Sequence, residues 1–188
     1  MEHQGEEERR VPFVAPFQAP GITVPVVPSG STGVFHKYRI RLDASVDAVW
    51  KQLRFYEDIH QRPGFLLRTL LPEPIRSNGD KTRVGGIVQC MYTNGATLSK
   101  RITFVEPPRR LEFEVMAQHL GIEDCVVTVG GSYHLREAQD GTELLLTTAY
   151  RAYLYPRELW RPVEVRLVSE LHGHILNGLR RSFPTVTA

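Results

Sequence analysis

The chain has 188 residues, with 23 basic and 21 acidic side chains and a net charge of +2. That balance gives no global attraction to nucleic acid or to an anionic bilayer, and no run of about 18 apolar residues is present to span one. The start, MEHQGEEERR, is acidic and has no apolar h-region, so it does not read as a secretory signal. Cys90 and Cys125 have neither redox nor zinc spacing. A cytoplasmic location is the expectation, with pairing of the two cysteines left open.

The length suits one domain with an added tail. Residues 1–33 carry Pro12, Pro16, Pro20, Pro25 and Pro28 and then SGSTG. Proline removes backbone donors and favours extended chain, so this stretch reads as a tail, disordered or draped over the domain. Residues 34–182 form the domain, and residues 183–188 are a second short tail.

In FHKYRIRL, Tyr38, Ile40 and Leu42 alternate with Lys37, Arg39 and Arg41, the pattern of a strand with one buried face. Ser45 is placed to cap a helix, and Val46, Val49, Trp50 and Leu53 follow at helical spacing. From about residue 65 the pattern becomes strand, turn, strand. SNGD (77–80), TNGA (93–96) and QDGT (139–142) supply tight turns, the Asn-Gly pairs being suited to positive φ. EPPR (106–109) is a different corner, because proline cannot take positive φ. The runs between these turns are β-rich, and Gly85-Gly86 and Gly130-Gly131 read as bulges or bends within them. Short turns make the strands antiparallel neighbours, a meander of about six after the first helix.

Residues 157–181 read as a long helix. Val168, Ile175 and Leu179 centre its apolar face, and Pro162 fits if it lies in the first turn. The expected fold class is α+β: a curved antiparallel sheet of about six to seven strands wrapped around this helix.

The stretches ASVDAVWKQL, RITFVEPPRRLEFEV, GGSYHL and LHGHILNGLR, in this order, resemble the START/SRPBCC superfamily. That group includes birch-pollen-allergen-like proteins, lipid-transfer START domains and polyketide cyclase/dehydrases, and the likeness is to a bacterial branch of SRPBCC proteins. The resemblance implies a helix-grip fold with a hydrophobic cavity between sheet and long helix. It implies no shared catalytic motif, and fold alone does not give function.

The residues themselves nominate a site. Leu111, Phe113 and Val115 face inward on one strand, and Leu98, Ile102 and Phe104 on its partner, with Lys100 on the same face. An inward lysine either meets an anion, such as a ligand carboxylate or phosphate, or lies near a strand end and snorkels to water. Arg101 faces outward, opposite Glu114. Tyr92, Tyr133 and Tyr150 share inward phases, suiting either an apolar ligand with a few oxygens or core packing. His172 falls among Val168 and Ile175 on the helix face. It is either a pocket imidazole capable of proton transfer or a core histidine bonded to the backbone. His172 and His174 are two apart on a helix and point away from each other, so no metal site is expected, and no cofactor motif is present.

Three functions compete. The first is a carrier or sensor of a hydrophobic small molecule, a lipid, sterol-like or polyketide-like compound, with Tyr92, Lys100, Tyr133, Tyr150, Val168, His172 and Ile175 around it. The second is a polyketide cyclase/dehydratase-type enzyme using His172, Lys100 or a tyrosine. The third is an interaction protein acting through the proline-rich tail. Neither a nucleic-acid partner nor an integral membrane segment is expected, and the sequence does not set the oligomeric state.

Overall fold

The computed structural model describes residues 33–59 and 61–183, so the expected tails lie almost wholly outside the described residues. Strand β1 (Gly33–Leu42) leads into helix α1 (Val46–Lys51), a 3-10 turn (Tyr56–Asp58) and helix α2 (Phe65–Leu70). Then come β2 (Pro74–Gly79), β3 (Ile87–Tyr92), β4 (Thr97–Glu106), β5 (Arg110–His119), β6 (Val126–Ala138), β7 (Gly141–Ala152) and helix α3 (Arg157–Arg180). The strands form one antiparallel seven-stranded sheet in the order β1-β7-β6-β5-β4-β3-β2, so β1 and β2 are its two edges. The meander of six strands and the long closing helix are as the sequence predicts.

Local chemistry accounts for most boundaries. The Ser45 hydroxyl accepts the Ala48 N–H at 3.3 Å and caps α1. Asn94 (φ 60°) and Gly95 (φ 74°) take the two positive-φ positions of the β3–β4 turn, as the Asn-Gly pair predicts. At the β4–β5 corner the Arg109 N–H donates to the Glu106 carbonyl at 2.7 Å, with a cis bond between Pro107 and Pro108. A cis proline at the third position defines a type VI turn.

Other expectations are corrected. Asn78-Gly79 does not turn the chain: it stays in β2, paired with Gln89 and Val88, and residues 80–86 form a wider loop. Asp80 organises that loop by accepting from the Thr82 N–H and the Arg83 guanidinium, each at 2.8 Å. Gly85-Gly86 therefore belongs to the loop and not to a strand. Residues 65–70 are helical (α2), a turn of helix inside a stretch expected to begin the strands. Pro162 lies beyond the first turn of α3 yet within the helix. Phe104 faces outward, not inward. A register shift between Ile102 and Phe104 puts Val105 opposite Leu111 and Phe104 opposite Glu112. Phe104 then lies against the Arg110 guanidinium, 4.6 Å from its ring centroid. Gly130-Gly131 does mark a bulge, since the β6–β7 register shifts between Thr128 and Gly130.

The core lies between the inner face of the sheet and α1, the 3-10 turn and α3. Leu98, Ile102, Leu111, Tyr133, Leu144 and Leu146 meet Val49, Phe55, Ile175, Leu176 and Leu179 there. Gly131 permits this packing: a Cβ there would come within 2.8 Å of the Phe113 ring. On the outer face Arg101 pairs with Glu114 at 3.3 Å, as expected of facing residues in that register. Such an exposed pair contributes well under about 1 kcal/mol. No described helix is long and apolar enough to cross a membrane.

Candidate functional site

Lys100 sits midway along β4 and presents its ammonium to the core. It does not reach water, because its side chain is 6% exposed. The anion it meets is Glu57, from the 3-10 turn, whose side chain is 2% exposed. Lys100 Nζ donates to Glu57 Oε2 at 2.7 Å and to Oε1 at 3.0 Å. The Tyr92 hydroxyl donates to the same Oε1. The cation also lies 4.3 Å from the Phe55 ring centroid and 5.3 Å from that of Phe113. Two charges out of water are tolerable only with such paired and satisfied geometry. Burial, with Glu57 adding to it, holds the Tyr92 phenol well above its usual range, so it remains a donor. Burial also pushes the neighbouring Cys90 thiol up to about 12, which leaves it an inert, protonated core group. Cys90 and Cys125 are both free.

Glu57 is also part of the wall of an open cleft of about 400 Å³. The segment after α1 contributes Arg54, Glu57 and Asp58 to it, β2 contributes Ile75, Arg76, Ser77, Asn78 and Gly79, and Lys81 and Val88 complete it. Asp58 is fully engaged. It accepts from the Ser77 hydroxyl, from the Phe55 N–H at 3.3 Å and from Lys81 Nζ at 3.4 Å. Burial alone would raise its pKa, but these donors, Ser77 foremost, hold the carboxyl below its ordinary range. Lys81 also donates to the Leu53 carbonyl at 3.1 Å. The guanidinium groups of Arg54 and Arg76, both exposed, pair with no side chain among the described residues.

The remaining predicted residues occupy the core. Tyr92, Lys100, Tyr133, Tyr150, Val168, His172 and Ile175 are between 0% and 7% exposed, so side chains fill the space around them. The Tyr133 hydroxyl donates to the Arg54 carbonyl at 3.0 Å, which ties β6 to the rim of the cleft. Tyr150 lies with Val168 and Ala152 in a separate small cluster, and its hydroxyl has no partner among the described residues. His172 is fully buried; its Nε2 shares a 2.7 Å hydrogen bond with the Thr148 hydroxyl, a side chain and not a backbone carbonyl. Its ring lies 5.3 Å from that of His36, whose Nε2 bonds Ser169 Oγ at 3.1 Å. Burial, reinforced by His36, lowers the His172 pKa to about 3, so it is neutral at physiological pH.

His172 and Lys100 do not form one site: the first packs on β1 and β7, the second joins the 3-10 turn and β3. His174 points to another neighbour, the Tyr56 ring, 5.5 Å away. Among the described residues no cluster of three or more His, Cys, Asp or Glu is placed to hold a metal. Sequence reasoning missed Glu57, Arg54, Arg76 and Lys81. The available signal was Lys100 itself: an inward lysine requires a counter-charge, and Glu57-Asp58 is an acidic pair lying just past the first helix.

No protein-family model and no curated protein matches the sequence. Solved structures do. The chain is similar to norcoclaurine synthase from Thalictrum flavum in complex with dopamine and hydroxybenzaldehyde, at 12% identity over 81% of this chain and 87% of that one, TM-score 0.55. It is also similar to the protein XoxI from Bacillus cereus, at 13% identity over 82% and 98%, TM-score 0.54. A protein from Nitrosospira multiformis matches at 15% identity over 80% and 97%, TM-score 0.54. The fold is therefore the helix-grip fold of birch-pollen-allergen-like, SRPBCC-type proteins.

Proposed function

We propose that the protein is a binding module for a small organic molecule, taken up in the cleft between the 3-10 turn and the β2–β3 edge of the sheet. The observation that carries this reading is that Glu57 belongs both to the cleft wall and to the buried cluster with Lys100 and Tyr92. An open volume of about 400 Å³ thus abuts a charged group that is locked in place. Ligand sites combine apolar surface with a few fixed polar groups, and here Ile75 and Val88 supply the first and Glu57 and Ser77 the second. In this reading Tyr92 and Lys100 act through Glu57, while Tyr133, Tyr150, Val168, His172 and Ile175 hold the sheet against α3. The likeness to a protein solved with dopamine and hydroxybenzaldehyde is consistent with a small organic ligand.

A second reading is an enzyme. It is favoured by one observation: Tyr92, Glu57 and Lys100 form a continuous hydrogen-bonded chain that reaches the cleft, an arrangement able to relay a proton. His172 has no place in it.

Native mass spectrometry of the protein purified from its own host tests the first reading. An adduct is expected, and it should vanish in Ser77→Trp, which places an indole in the cleft, because Ser77 lies opposite Cys90 on the inner phase of β2 and faces Asp58. An adduct that survives this substitution sinks the reading, and a substrate converted to product by the wild type favours the second.

A further inference from the structure

We infer that the outer face of the sheet carries a second site, for a small molecule bearing a phosphate group, in the arginine-lined recess where β1, β7, β6 and the β4–β5 corner meet. The inference does not depend on the binding reading above, because Glu57 and Ser77 meet on the inner face.

Strand register places the site. Arg39 pairs with Leu145, Leu145 with His134, His134 with Arg110 and Arg110 with Glu106. These residues form one row across five adjacent strands, each roughly 5 Å from the next. Their neighbours along the chain, Ile40, Leu144, Leu135, Leu111 and Val105, pack into the core, so the row points outward. Two residues along β7 and β6, Glu143 pairs with Arg136 on the same face. The Leu135 N–H donates to the Arg109 carbonyl at 2.8 Å, which holds the β4–β5 corner against β6. A recess of about 320 Å³ lies among these groups.

Arg39, Arg109, Arg110 and Arg136 line it against two carboxylates, Glu106 and Glu143. Glu143 is buried and already held, by Arg136 Nε at 2.6 Å and by Arg39 Nε at 3.5 Å. Two guanidinium groups carry about ten N–H donors and one carboxylate about four lone pairs, so Glu143 orients both arginines without satisfying them. Arg110 is fixed as well, its Nε donating to Glu112 at 2.7 Å and its guanidinium lying over the Phe104 ring. Arg109 is exposed, and its side chain has no partner among the described residues. Lys37 and Arg41, exposed on the outer phase of β1, add to the excess of positive charge. Cations arriving from β1, β5, β6 and the corner suit the tetrahedral oxygens of a phosphate better than the two in-plane oxygens of a carboxylate. Leu145, in the middle of the row, offers an apolar surface to the rest of the molecule.

Titrating the full chain with phenyl phosphate, read by amide chemical shifts, tests the assignment. Saturable shifts are expected at Arg109, Leu135, Arg136 and Leu145. Arg109→Gln should keep the thermal midpoint and weaken binding on the order of ten-fold. Glu106→Gln, which removes the unspent carboxylate at the rim, should tighten it about two-fold or more. Lys51→Gln takes one positive charge from the end of α1 and should leave it within about two-fold. Equal weakening by Arg109→Gln and Lys51→Gln, or weaker binding in Glu106→Gln, overturns the site. So do an absence of saturable shifts at millimolar probe and shifts confined to Ser77 and Lys81. Phthalate, the same ring with two carboxylates, binding as tightly as phenyl phosphate overturns the phosphate class. Heparin binding where phenyl phosphate does not would overturn the small molecule in favour of a polyanion.

Discussion

The inner face of the sheet treats two of its buried titratable side chains, Lys100 and His172, oppositely. Toward β2 it holds an ion pair, with Lys100 on Glu57 and against two aromatic rings and with Tyr92 donating to the same carboxylate. Toward β1 it buries His172 beside His36 and keeps it neutral, with one hydrogen bond to Thr148 and the Nδ1 atom unpartnered among the described residues. A buried pair is seldom better for stability than apolar residues of the same size. The second arrangement, at His172, is ordinary core packing. The charged cluster abuts the open cleft, and that is the ground on which a function is proposed for this end of the sheet.

The sharpest way to break this comparison is to remove one charge. Lys100→Met strands the Glu57 carboxylate and should cost about 3–5 kcal/mol, read from the denaturant midpoint. Adding Glu57→Leu to it should restore more than half. If the single substitution costs less than about 1 kcal/mol, the pair is not buried as described.

Next comes acid. The His172 pKa lies below that of the unfolded chain, so below about 6.5 the unfolded state takes up a proton that the folded state refuses. Stability falls as pH drops through 6.5 and stops falling, for this group, near the folded value of about 3. By pH 4 the loss from His172 should be roughly 3 kcal/mol. Urea unfolding at pH 7 and pH 4 should show that loss in the wild type and most of it removed in His172→Leu. Equal acid losses in both would mean the imidazole is not excluded from protonation.

The smallest effects concern two glycines that place these regions. Gly131→Ala drives a methyl group into Phe113, one of the rings beside Lys100, and should cost about 1–3 kcal/mol. Gly173→Ala, next to His172, meets nothing within 4 Å and should stabilise α3 by about 0.5–1 kcal/mol in a thermal melt.

Period and turn chemistry made the fold legible from the chain. Alternation in KYRIRL and RLEFEV and the 3.6-residue spacing around Val168 and Ile175 are local signals that the tertiary structure obeys. Failures came where one residue shifts a register. The irregularity between Ile102 and Phe104 turns Phe104 outward, and nothing in KRITFV announces it. Asn78-Gly79 has turn chemistry, but the Asp80 loop competes and wins. The candidate site was half legible. Lys100 and Tyr92 follow from strand phase, whereas Glu57 comes from a 3-10 turn of three residues, too short to show any period.

One wall of the cleft is an edge strand. β2 is bound to the sheet through β3 alone, carries Pro74 at its start and is interrupted by a register shift between Pro74 and Arg76. Elements with few partners are the first to open, and they exchange their amide hydrogens fastest. Fraying of these six residues at a rim therefore widens the cleft beside the Glu57 cluster, and the seal between the sheet and α3 can stay shut while it happens.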